Sequence, residues 1–451
     1  MKNSQQNHQD LSNGKGERFS SSGFILAAIG SAVGLGNMWK FPYITGQYGG
    51  AAFFLLFIVC LVVVGLPVLL AELAIGRGGR GSASSSFVKL SGKKIWGGLG
   101  MISVVAPFVI LSFYAIVAGW TLHYAVQSFA GKLVPDTDFT VMFNGFMDSN
   151  SPILWQALVL VLVGAVVVKG ISGGIEKFNK ILIPGMFILL VALMIRALTL
   201  PGASSGVSFF LNPDFSKLTT ESTLVALGHA FFSLSLGMGT MITYGSYVEK
   251  RQSLGTATLA IGVGDLLYAF IAGLIIFPTT FSFGINPGQG PGLVFVALPA
   301  AFSAMPFGSI IGGFFFILLA IAALTSAVSL LEVPVAYAMD RFGWSRTRSV
   351  WIFILGCFIL GVPAALSLGV SPELTFGGKP FFDWIDFVAS NILLPLGGLI
   401  VTIFAGYFWK GVAEEAGLTA IWFRLWLFML RFVAPILVVF VFLHSAGFIK
   451  F

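Results

Sequence analysis

Apolar runs about twenty residues long follow one another from Phe24 almost to the C-terminus, with short polar segments between them. Each is long enough to cross a hydrocarbon layer about 30 Å thick. Their positions predict helices at 23–45, 51–76, 98–128, 153–170, 178–199, 224–249, 256–283, 306–340, 350–370, 383–409 and 423–447, eleven in all. The runs lack the alternation of a barrel strand, and an open sheet in lipid would strand its unpaired backbone groups. The expected fold is an all-α polytopic membrane protein. Residues 1–22 are polar, with no apolar core ahead of a small-residue cleavage site, and read as a disordered cytoplasmic tail rather than a signal peptide.

Composition narrows the function classes. Of 451 residues, 57% are hydrophobic and 10% charged, against roughly 25% charged in an average soluble domain, and mean hydropathy is +0.94. A water-soluble enzyme is excluded. His123, His229 and His444 fall on different predicted helices, with no metal-ligand spacing and no nucleophile–base constellation. The net charge of +7 needs no nucleic acid to explain it. With the N-terminus inside, most lysines and arginines fall in inner segments, and outer segments hold only Lys132, Arg196, Lys217, Lys379 and Lys450. That bias predicts a multi-pass protein of the cell (inner, plasma) membrane with a cytoplasmic N-terminus and an extracellular C-terminus. Cys60 and Cys357 both lie inside apolar runs, and no disulfide framework is expected.

Two predicted helices are interrupted by glycine at mid-membrane depth. The first carries Gly30-Ser31-Ala32-Val33-Gly34-Leu35-Gly36-Asn37, and the sixth carries Ser233-Leu234-Ser235-Leu236-Gly237-Met238-Gly239. Such clusters either permit close helix packing or mark unwound backbone, tolerated in lipid only where it lines a cavity or is buried in protein. Their matching places, each opening a set of five helices, with Ser and Asn alongside, favour unwound backbone at a polar site.

The run Gly34-Leu35-Gly36-Asn37-Met38-Trp39-Lys40-Phe41-Pro42-Tyr43, followed by Leu234-Ser235-Leu236-Gly237 and Leu324-Thr325-Ser326, resembles the neurotransmitter:sodium symporter family over nearly the whole chain. The resemblance implies the leucine-transporter fold, a 5+5 inverted repeat with broken helices 1 and 6. The first repeat would cover 23–199 and the second 222–410, with an eleventh helix at 422–448. It also implies two sodium ions. The first site would use Ala32, Asn37, Ser233 and Asp265; the second Gly30, Val33, Ala322, Thr325 and Ser326. Positions 322, 325 and 326 share one helical face, although such hydroxyls also commonly bond back to their own helix.

Family members that need chloride carry a neutral asparagine where this chain has Asp265, so the resemblance implies sodium coupling without chloride. The implied substrate set is Ala32, Gly34, Gly36, Ile110, Tyr114, Phe232, Ser233, Ser235, Met238, Ser326 and Leu330. Backbone N–H groups near Gly34 and Gly36, with the Tyr114 hydroxyl, would receive a carboxylate. Carbonyls near Ala32 and Phe232, with Ser235, would receive the α-amino group, and Ile110, Tyr114, Phe232, Met238, Ser326 and Leu330 would form a largely apolar side-chain pocket. Where monoamine carriers have an aspartate, this chain has Ala28 or a close neighbour. Hydrophobic L-amino acids, aliphatic and aromatic, are therefore the expected cargo. The alternatives are a proton-coupled amino-acid carrier of the same fold and a non-transporting sensor.

Gates follow from the same resemblance. Lys40 and Asp386 match the outer cation–carboxylate pair, with Tyr114 and Phe232 as an aromatic lid. Asp340 matches the inner carboxylate, with Arg18 or Lys15 as its cation, although Glu17-Arg18-Phe19 departs from the family's Arg-x-x-Trp. Gly174 and Pro184 match a Gly-x9-Pro element at which the fifth helix unwinds. Glu332, on the same helical face as Thr325, either lines the sodium exit path or holds a structural partner.

Overall fold

A computed structural model of the chain describes residues 18–288, 290 and 292–445; Lys15, most of the N-terminal tail and the last residues of the predicted eleventh helix lie outside these. Eight continuous helices are long and apolar enough to cross a membrane: Ala51–Gly79, Ile95–Phe129, Ile171–Leu198, Leu254–Ser282, Gly308–Phe342, Arg346–Leu366, Phe381–Phe408 and Ala420–His444. Two bent pairs, Ser21–Ala32 with Gly36–Gln47 and Phe139–Met147 with Ser151–Val167, are further spans. A third broken pair, Thr220–Ser233 with Thr240–Ser246, brings the described residues to the eleven spans expected, and they are numbered here in chain order. Strand is confined, among the described residues, to the two-residue hairpin Thr375–Phe376 with Lys379–Pro380.

Local sequence sets where the helices start. Ser20 caps the first span, its hydroxyl accepting the Gly23 N–H at 3.1 Å. Thr219 opens the sixth through a reciprocal box, accepting the Ser222 N–H at 3.1 Å while its own N–H donates to the Ser222 hydroxyl at 2.9 Å. Prolines 107, 184, 278, 334 and 363 lie inside helices, as membrane helices allow when neighbours satisfy the freed carbonyls. Short helices outside the predicted set, Ala83–Ser91, Ala203–Leu211 and Leu293–Ser303, connect the spans.

The eighth span is the scaffold. In its most apolar window 78% of residues are buried, against 28% in the fifth and eleventh, which therefore present most of their surface to lipid. The eighth packs along the third, and the first lies against the fifth, seventh and eighth. The tenth holds the break of the sixth by backbone contact. Gly237 has φ +78°, and a Cβ added to Gly397 would lie 1.9 Å from the Gly237 carbonyl oxygen. Gly397→Ala is accordingly expected to cost about 1–3 kcal/mol, read as a lower midpoint for loss of monodisperse protein on heating in detergent. Gly185→Ala, which meets nothing within 4 Å, should leave that midpoint unchanged or raise it.

Candidate functional site

The first span stops being helical at Val33, where ψ is 95°, and resumes at Gly36 as the wide turn Gly36–Lys40, bent by 42°. The sixth stops at Ser233 and resumes at Thr240, and between them Ser235, Gly237 and Gly239 all have positive φ. Both breaks leave peptide groups without helical partners, and side chains from other spans supply them. Tyr114 Oη, from the third span, accepts the Leu35 N–H at 3.2 Å. Glu72, wholly buried in the second span, accepts the Gly237 N–H at 2.7 Å. Glu72 was not among the residues singled out from the sequence; a carboxylate inside the second apolar run is the signal that marks it.

Where the breaks face each other, three of the residues expected at the first cation site meet. Asn37 Nδ2 donates to Asp265 Oδ1 at 2.8 Å, and the Ser233 hydroxyl lies 2.6 Å from Asp265 Oδ1 and 3.0 Å from Asn37 Oδ1. All three are buried, and Asp265 Oδ2 has no hydrogen-bond partner. A cluster of hard oxygens with one carboxylate oxygen unsatisfied fits an alkali cation. Of the second set, the Ser326 hydroxyl donates to the Gly30 carbonyl at 3.3 Å and faces that of Ser31 at 3.2 Å. Thr325 instead bonds back to its own helix, at 3.1 Å to Ile321 O and 3.0 Å to Ala322 O.

Beside these oxygens lies a small cavity of about 20 Å³. Its walls contain every residue of the expected substrate set, Ala32, Gly34, Gly36, Ile110, Tyr114, Phe232, Ser233, Ser235, Met238, Ser326 and Leu330, together with Ser31. Its polar end is a cradle around Gly34, where an added Cβ would lie 2.6 Å from Ser326 Oγ and 3.0 Å from Tyr114 Oη. Its floor is a hydroxyl relay that sequence reasoning did not assemble: Ser31 Oγ lies 2.7 Å from Ser329 Oγ and 3.2 Å from Ser235 Oγ. A second cavity of about 270 Å³ contains Lys40, Trp120, Phe382, Asp383 and Asp386, and shares Tyr114 and Phe232 with the first. Those two rings stand between the chambers.

Residues 17–145 and 137–450 match the sodium:neurotransmitter symporter family. The sodium-dependent transporter YhdH of Bacillus subtilis is 38% identical over 441 residues, 96% of this chain and 98% of its own. A sodium-dependent transporter of Haemophilus influenzae is 36% identical over 439 residues, covering 94% and 96%.

The chain belongs to this family.

The fold agrees: MhsT, crystallised with L-phenylalanine, is 46% identical and superposes with a TM-score of 0.90 over 96% of this chain and 100% of its own. The chain is therefore a sodium-coupled symporter of the membrane and not an enzyme.

The residues expected at the two gates are engaged differently. On the side away from the N-terminus, Lys40 and Asp386 border the larger cavity without a direct ion pair. Lys40 Nζ instead sits 5.3 Å over the Phe232 ring, and Asp386 accepts from the Ser390 hydroxyl at 2.9 Å. At the opposite end Phe19 is buried, its ring 5.2 Å from Tyr244 and 6.1 Å from Tyr247, so aromatic rings fill that end. The expected Arg18–Asp340 pair is not formed. Arg18 is exposed, while Asp340 accepts the Ser82 N–H at 3.1 Å and the Ser82 and Ser85 hydroxyls, at the start of Ala83–Ser91. Capping that helix uses the carboxylate locally and leaves the arginine in water. Gly174 and Pro184 lie in a fifth span that is wound throughout, as the wide turn Ile171–Glu176 and the α-helix Lys177–Leu198.

Of the two roles open to Glu332, the structure gives it a partner. Arg346 Nη1 lies 2.7 Å from Glu332 Oε2, and the Tyr247 hydroxyl donates to Oε1 at 2.7 Å. Arg346→Leu is expected to cost about 3–5 kcal/mol by leaving a buried carboxylate without its cation, measured as thermal stability in detergent. The double variant with Glu332→Leu should recover most of that loss, which an exit-path residue with no structural role would not show.

Proposed function

We propose that this symporter carries hydrophobic L-amino acids, aliphatic and aromatic, into the cell by alternating access, with two sodium ions and no chloride. The observation that carries the reading is the small cavity between the two breaks. One end offers N–H groups and the Tyr114 and Ser326 hydroxyls around Gly34, suited to an α-carboxylate and α-amino group. The other end is Ile110, Phe232, Met238 and Leu330, without a charge to reward a polar side chain. Met238 is the adaptable wall that lets one pocket accept several shapes. MhsT, crystallised with L-phenylalanine, supports the same substrate class. At about 20 Å³ the chamber is too small for an amino acid, so it must widen to take one, and Phe232 and Tyr114, shared with the larger cavity, are the rings that would part.

Asn37, Ser233, Asp265 and the Ala32 carbonyl would hold one ion beside the substrate carboxylate; Gly30, Val33, Ala322, Thr325 and Ser326 would hold the other. Thr325 donates its proton within its own helix, which leaves its hydroxyl lone pairs free for the ion. Asp265 supplies the fixed negative charge that a chloride supplies elsewhere. The lysines and arginines gathered at the Phe19 end support a cytoplasmic N-terminus and an extracellular C-terminus. Two sodium ions, each worth about 2.3 kcal/mol per 100 mV and 1.4 kcal/mol per tenfold gradient, supply about 7 kcal/mol, enough for roughly 10⁵-fold accumulation.

Uptake of radiolabelled leucine, phenylalanine and tryptophan into sealed proteoliposomes tests this. It should require an inward sodium gradient and proceed equally in chloride and gluconate. Asp265→Asn should lower uptake in gluconate about tenfold or more, with chloride restoring it. Uptake driven by a proton gradient in the absence of sodium would overturn sodium coupling, and binding without uptake would point to a sensor.

A further inference from the structure

A cavity of about 590 Å³ lies at the Phe19 end of the molecule and shares no residue with the two chambers described above. Three elements enclose it: the linking helix Ala83–Ser91, the start of the third span and the end of the eighth. Its cations are placed by local sequence. Gly92, with φ +70°, ends the linking helix, and Lys93-Lys94 follow at once, ahead of the third span. Arg341 stands in the last turn of the eighth span, where the exposed carbonyls of a helix end favour positive charge. Lys89, Lys94 and Arg341 all line the cavity, against one carboxylate, Asp340.

Two of these four charges offset each other. A Cβ added to Gly81 would lie 2.6 Å from Lys89 Nζ and 3.2 Å from Asp340 Oδ2, so the pair flanks one point. Lys89 also donates to the Arg80 carbonyl at 3.2 Å, and Asp340 accepts from Ser82 and Ser85. The side chains of Lys94 and Arg341 make no hydrogen bond or ion pair with the described residues, which leaves the cavity with two unpaired positive charges. The third span then joins this wall to lipid. Lys94, Gly98, Met101 and Val105 are spaced i, i+4, i+7 and i+11, on one helical face. The first three line the cavity, while Val105 is exposed, as are Ile95 and Leu99 beside them. Gly98 keeps the wall open, since a Cβ added there would meet nothing within 4 Å.

We propose that this cavity binds the phosphate headgroup of an anionic membrane lipid, held by Lys94 and Arg341, with the acyl chains along the exposed strip of the third span. A planar guanidinium matches two phosphate oxygens at once, and a lysine adds a point charge on a long apolar stem that reaches headgroup level from the lipid side. Basic pockets between spans are suited to such headgroups. A soluble phosphate would satisfy the two cations but leave Ile95, Leu99 and Val105 uncovered; a lipid answers both. The headgroup would bridge the third and eighth spans at the corner where the sixth resumes. There Gly239, with φ +67°, is packed so closely that an added Cβ would lie 2.6 Å from the Ser103 carbonyl oxygen and 3.0 Å from Ala83 Cβ.

Native mass spectrometry of the full chain in detergent, titrated with dioleoylphosphatidylglycerol or dioleoylphosphatidylcholine, tests this. The natural protein should retain phosphatidylglycerol at about tenfold lower concentration than phosphatidylcholine. The double variant Lys94→Gln with Arg341→Gln should lose that preference. Lys93→Gln with Arg424→Gln removes the same charge from exposed positions outside the cavity and should keep it. All four side chains are exposed, so both variants should unfold at the natural midpoint when lipid is absent. A preference that survives in the cavity variant would overturn the proposal, as would an equal loss in both variants, which would reduce the effect to overall charge. Excess inorganic phosphate should leave the bound lipid in place; its displacement would assign the cations to a soluble phosphate and overturn the lipid site.

Discussion

Hydrocarbon offers no hydrogen-bond partner to a peptide group, so each span that leaves the helical path in mid-membrane must find partners inside the protein. Two breaks of this chain, at Val33–Leu35 and Leu234–Gly239, meet that demand together. The third span lends the Tyr114 hydroxyl to Leu35 and the second lends Glu72 to Gly237. The eighth lends Ser326 to the Gly30 carbonyl. Gly237 and Gly397 let the tenth span seal the break by direct backbone contact. Asp265 Oδ2 stays without a hydrogen-bond partner, in the cluster beside the cavity that Gly34 lines.

The same constraint sorts the buried charges. Glu332 is paired with Arg346 and accepts from the Tyr247 hydroxyl, whose ring lies beside Phe19. Glu72 spends a carboxylate oxygen on a backbone N–H. Asp265 meets only neutral side chains, Asn37 and Ser233, in the hydrogen bonds of its carboxylate. The contrast between the ends of the molecule follows a related logic. Aromatic packing, serine caps and the Arg346–Glu332 pair hold the elements together at the Phe19 end, while Lys40 and Asp386 border the larger cavity. A closure made of several weak contacts can be exchanged for another at modest cost, which alternating access requires.

Much of this was legible in the sequence because it is written in strong local signals. Eleven apolar runs gave eleven spans, and two glycine clusters fell at the two breaks. The motif through Gly34-Leu35-Gly36-Asn37 pointed to residues that lie around one cavity. What the pattern hid was long-range. Asp340 has its partners in Ser82 and Ser85, about 255 residues earlier, a pairing no local period reveals. The wide turns, such as Ile171–Glu176, insert a residue without altering hydropathy. Ser31 and Ser329 look like ordinary helix-packing serines until the fold sets them 2.7 Å apart. Ala83–Ser91 was missed because it is too short to span. Glu72 is a carboxylate within an apolar run, which is itself a signal.

If one buried cluster of oxygens binds both ion and substrate, their affinities are linked and the linkage is reciprocal. Calorimetric titration of the purified symporter measures it directly: L-phenylalanine affinity with sodium and with potassium at constant ionic strength, and sodium affinity with and without L-phenylalanine. The account predicts that sodium tightens phenylalanine binding and that phenylalanine tightens sodium binding by the same factor, about tenfold or more, in the typical range for coupled sites. Phenylalanine binding of equal strength in sodium and potassium would contradict it.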